Sequence, residues 1–99
     1  MLSLDRIKRA RETLVPWESL TANRLPWTAY TLASMTQGLL WDFVTLLAKP
    51  DDAAAIQSVK DGLLKLEVAA KERRDLLGTV AVEVEKGARK AREILERKG

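Results

Sequence analysis

Residues 52–97 read DAAAIQSVKDGLLKLEVAAKERRDLLGTVAVEVEKGARKAREILER, and the spacing of the apolar residues in this stretch decides the fold. Ile56, Val59, Leu63, Leu66, Ala70, Arg73, Leu77, Val80, Val84, Gly87, Ala91 and Ile94 follow one another in strict steps of three and four. All are Ala or larger apolar residues except Gly87 and Arg73. A seam of this period is one face of a helix, and it leaves water only by lying against another helix. The flanking positions Ala69, Leu76, Ala81, Ala88 and Leu95 are apolar too, which widens the face beyond a two-stranded coiled coil and points to a bundle. Ala70, Gly87 and Ala91 allow close approach along the seam, whereas Leu63, Leu66 and Leu77 hold neighbours apart.

Read as one helix from Asp52 to about Arg97, the stretch is roughly 70 Å long. A competing reading takes Val80, Val82 and Val84, bracketed by Gly78 and Gly87, as a strand. A lone strand has no ladder partner, and no second strand-like run exists in the chain, so the helix is the better assignment. Its weakest stretch is Gly78 to Gly87, where a kink or break is easiest.

Working outward, Pro50, Asp51 and Asp52 form the sharpest punctuation. Asp51 is placed to cap the new helix, with Asp52 at its positive pole and Ala53, Ala54 and Ala55 propagating it. A turn as short as 49–51 makes its flanking helices antiparallel neighbours. Before it, a helix over 26–48 presents Ala29, Leu32, Thr36, Leu39, Phe43 and Leu46 on one stripe, broadened by Ala33, Leu40, Val44 and Leu47. A contrasting stripe of Thr28, Thr31, Met35, Gly38, Asp42 and Thr45 is small or polar, and is either a wet side or a close contact with another chain. A first helix over 3–15 carries Leu4, Ile7, Arg11 and Leu14, with Ser3 as its cap, and Pro16 ends it. The expected architecture is all-α and a single domain. It is a helical hairpin with a first arm broken between Pro16 and Pro26 and a long heptad-patterned third helix, associating into an oligomeric bundle, with a dimer favoured.

Composition narrows the chemistry. The 99 residues contain no Cys and no His, which removes disulfides, thiolates and the commonest metal ligand and general base. No phosphate loop, nucleophile elbow or metal-ligand spacing occurs, so neither an enzyme nor a cofactor is expected. The segment 26–48 has Asp42 as its one charge but is rich in Thr and Ser, and a transmembrane span is not expected. Asp5, Arg6, Lys8 and Arg9 stand where a signal peptide needs its apolar core, so a cytoplasmic location is expected.

Four features invite a role. Arg73 is the charge in the seam, either snorkelling to solvent or fixing register against Trp27 or Tyr30. Asp42 is placed on the polar stripe or beside Lys60. Trp17, Trp27 and Trp41 either plug a small core or present an anchor to a partner. The fourth is charge. Arg6, Lys8, Arg9 and Arg11 in the first helix, with Lys86, Arg89, Lys90, Arg92, Arg97 and Lys98 in the tail, fall at the same end of the antiparallel hairpin. The first expectation for function is a non-catalytic, self-associating assembly or adaptor protein acting through the seam. The second is a nucleic-acid-associated protein holding phosphates at the basic pole.

Overall fold

In the computed structural model, residues 3–20 and 29–97 are described, and they form six helices. They are α1 (Leu4–Glu12), α2 (Trp17–Leu20), α3 (Ala29–Ala48), α4 (Ala53–Glu72), α5 (Arg74–Leu77) and α6 (Thr79–Glu96). No strand occurs among the described residues, and Val80, Val82 and Val84 lie within α6. The all-helical class expected from the heptad pattern is the class observed. Pro26, Trp27, Thr28 and Lys98, to which the sequence reading gave roles, lie outside the described residues.

Each boundary has a local cause. The Ser3 hydroxyl accepts from the Arg6 amide at 3.1 Å, so α1 starts on a side-chain cap with Asp5 in its first turn. The helix ends at Thr13, short of the expected residue 15, because the hydroxyl of Thr13 donates to the Ala10 carbonyl at 2.8 Å and Pro16 follows. At the hairpin, Asp52 rather than Asp51 is the cap of α4. Its Oδ1 accepts from the amides of Ala54 at 2.9 Å and Ala55 at 3.4 Å. The turn uses Lys49 to close α3, so the cap position falls one residue later than the composition of the Pro-Asp-Asp run suggested.

The expected third helix is not continuous. It divides into α4, the single turn α5 and α6, with the chain reversing at Gly78, whose φ of 56° and ψ of −126° are costly for a residue with a Cβ. The reason is burial: a rod of roughly 70 Å would leave its seam wet in a single chain, while a reversal lays one half on the other. Glu67 pairs with Arg92 and Arg74 with Glu85, so a step of seven residues up α4 and α5 matches seven down α6, which makes the pair antiparallel. The molecule accordingly measures 40 × 21 × 19 Å, far from a rod.

Four corners result. The partners of α3 are α4 on one side and α1 with α2 on the other, and α6 sits between α4 and α1. The α3 stripe is buried as expected, at Ala29, Leu32, Thr36, Leu39, Phe43 and Leu46. Along α4 the buried set is Ala55, Val59, Leu63, Leu66 and Ala70. Beyond Gly78 the phase moves by about one residue: Ala81, Ala88 and Leu95, flank positions in the continuous reading, are buried, while Val80 and Ile94 become half-buried. Small residues set the helix separations. A Cβ on Gly62 would sit 2.7 Å from Leu39 Cδ2, so α3 and α4 meet closely there. A Cβ on Gly87 would run into the Thr13 carbonyl oxygen, where the end of α1 lies on α6.

Thermal and urea unfolding test these assignments. Asp52→Ala is expected to lose about 1 kcal/mol of stability, and Asp51→Ala less than about half of that. Gly78→Ala is expected to cost about 1–2 kcal/mol from backbone strain and Gly87→Ala about 1–3 kcal/mol from displacement of the Thr13 backbone.

Candidate functional site

The seam residues come first, because the reversal changes what they can do. Val59, Leu63, Leu66, Ala70, Leu77, Val84, Gly87 and Ala91 are buried, and Ile56, Arg73, Val80 and Ile94 are half-buried. Their facing surfaces are α4 and α6 of one chain. Arg73 is half-buried at the break: its Nη1 donates to the Ala69 carbonyl at 3.0 Å and lies 4.0 Å from Glu72, so it satisfies the end of α4 there. Asp42 is half-buried beside Gly62 and, among the described residues, forms no ion pair with Lys60.

Two ion pairs cross the reversal, and neither was visible in the linear pattern. Glu85 is 94 % buried, and its Oε2 accepts from Arg74 Nε at 2.9 Å and also from Arg74 Nη2. Glu67 accepts from Arg92 Nη2 at 2.9 Å, with both side chains largely buried. Arg92 therefore leaves the basic pole, where the sequence reading placed it, and turns toward α4. A pair that fixes α4 on α6 can be found in sequence only after the position of the turn is known.

The remaining cations gather where α1 lies antiparallel on the second half of α6. The Thr13 hydroxyl donates to the Gly87 carbonyl at 2.9 Å, and Arg6 Nη1 donates to the Arg97 carbonyl. These bonds, at the two ends of α1, hold it along α6. Arg6, Arg9, Lys90 and Arg97 then line one cleft of about 370 Å³ together with Glu93 and Ile94. An adjoining cleft of about 450 Å³ brings in Lys86 and Arg89, and shares Lys90 and Glu93. Lys8 and Arg11 belong to α1 but line neither of these clefts, and Lys98 lies outside the described residues.

On α3, the outward face is of another kind. Tyr30, Ser34, Gln37, Gly38, Trp41, Val44 and Thr45 are all exposed and none is charged. Trp41 is 68 % exposed, with Val44 at 49 % and Tyr30 at 47 %. Trp41 therefore does not plug the core. Ser34, Gly38, Trp41 and Thr45 recur at steps of four, three and four, a seam on the outside of the bundle. Gln37, Leu40, Trp41 and Val44 enclose a shallow groove of about 250 Å³. No helix among the described residues is long and apolar enough to cross a membrane.

No family model, curated protein or solved structure matches the chain. The two surfaces thus stand on their own geometry.

Because Arg92 is half of a largely buried pair, it is separable from the basic clefts by experiment. Glu67→Leu alone is expected to lower stability by about 1–3 kcal/mol, since it strands a guanidinium, and adding Arg92→Met is expected to recover most of that loss. Urea unfolding of the four proteins of the cycle measures it.

Proposed function

We propose that the protein is a non-catalytic helical assembly subunit that pairs with a second copy of itself through the outward face of α3. The observation that carries this reading is Trp41, a large apolar side chain 68 % exposed on a helix face without charge, in a chain of which 31 % is charged. The sequence reading assigned self-association to the α4–α6 seam. With that seam turned inward, α3 offers the surface that suits the same role.

Self-pairing is supported by shape and by charge. A two-fold axis crossing α3 near Leu39 and Leu40 sets two copies of the helix antiparallel, with Trp41 of each against Gly38 of the other and Ser34 facing Thr45. Gly38 has open space where a Cβ would stand, so it is a hole of the kind a neighbouring indole fills. Since the face carries no charge, apposing two identical copies brings no like charges together, and an isologous contact meets no repulsion. The polar atoms of Ser34, Gln37 and Thr45 supply a rim around the aromatic centre.

Sedimentation equilibrium or light scattering decides it. The native protein is expected to be a dimer at micromolar concentration. Trp41→Glu is expected to be a folded monomer, and Leu64→Glu, on the exposed side of α4, to remain dimeric. Gly38→Leu, which fills the hole, is expected to give a monomer that is itself more stable by about 0.5–1 kcal/mol, because glycine is a poor helix former. A monomeric native protein over that range would remove the proposal.

A further inference from the structure

The basic groove between α1 and α6 lies on other helices than the α3 face and leads to a separate inference. Its two clefts are continuous through Lys90 and Glu93, and together they hold six cations against the two carboxylates Glu83 and Glu93. Arg73, Arg74 and Arg92 are engaged at the α4–α6 junction by the Ala69 carbonyl, Glu85 and Glu67. By contrast, among the described residues Arg9, Lys86, Arg89 and Lys90 take part in no ion pair. Excess positive charge in a concave site focuses potential outward and attracts a polyanion.

We infer that the groove between α1 and the second half of α6 binds the phosphodiester backbone of nucleic acid without reading its sequence. Its length favours a polymer over one phosphate: from Lys86 to Arg97 the cations follow α6 for about 16 Å, enough for several successive phosphates of a strand. Arginine forks suit phosphate oxygens, and lysine adds point charge. Among the described residues no aromatic lines either cleft, which leaves bases nothing to stack on there and confines contact to the backbone. Among the described residues, Ile94 is the one large apolar residue lining the two clefts and is itself half-buried, so the groove floor favours a polyanion over lipid chains.

Fluorescence anisotropy with labelled duplexes and single strands of two unrelated sequences, at salt from about 50 to 200 mM, tests this. Both sequences are expected to bind equally. For duplex, the logarithm of affinity is expected to fall against that of salt with a slope of about −3 to −4, the value for roughly four phosphate contacts. Arg9→Glu combined with Lys90→Glu is expected to weaken binding at least about tenfold and to flatten the slope by about two, whereas Lys65→Glu on α4 is expected to change neither. Arg89→Glu, a single exposed site, is expected to flatten the slope by about one, and serves if the double variant unfolds. Absence of binding at the lowest salt would overturn the inference, as would equal binding by the groove variants. So would displacement by millimolar inorganic phosphate, which marks a single-anion pocket, or a preference for phosphatidylserine vesicles over nucleic acid.

Discussion

Everything in this molecule depends on the reversal at Gly78. A helix carrying an apolar seam over its whole length has two ways to hide it, namely another molecule or itself. The positive φ of Gly78 makes the second possible, and α5 supplies one turn in which the chain changes direction. Once α6 folds back on α4, the residues that looked like an intermolecular interface become the centre of a core. Arg73, awkward in a continuous seam, and its neighbour Arg74 take on use at the corner: one closes α4 and the other reaches Glu85 on α6.

The reversal also sorts the charges. An α6 helix lying between α4 and α1 has a paired side and an open side. Toward α4, Arg92 meets Glu67 and Glu85 meets Arg74, in surroundings where an unmatched charge would be expensive. Toward α1, Lys90 shares a cleft with Arg6, Arg9 and Arg97, and Lys86 and Arg89 line the adjoining one, so that six cations outnumber the carboxylates Glu83 and Glu93 in clefts open to water and salt. The bundle thus carries a neutral face on α3 and a strongly positive groove on α1 and α6, the two features on which its proposed behaviour rests.

How far the sequence was legible follows from how local each feature is. The caps at Ser3 and near Pro50, the stripe from Ala29 to Leu46 and the helical state of the three valines all rest on neighbours within a few positions, and they were readable apart from the one-residue shift from Asp51 to Asp52. The break was located but not decided, because the three-four period keeps its phase through Gly78 even though the backbone does not. Glu67, Arg74 and Glu85 went unnoticed for a related reason: each is an ordinary surface residue until the fold-back supplies its partner. Of the basic residues, those of α1 and α6 could be placed at one end from the antiparallel topology. Only coordinates could show that Arg92 faces the other way. Trp41 was ambiguous because position on an apolar helix does not reveal which side lacks a neighbour.

The docking of α1 on α6 joins segments far apart along the chain: Thr13 to Gly87 spans 74 positions, and Arg6 to Arg97 spans 91. The nearer pairings of α3 with α4 and of α4 with α6 are what bring these distant segments side by side. The positive groove is therefore a property of the finished molecule. Without α6 beside them, the arginines of α1 are separate charges on a short helix instead of one wall of a groove.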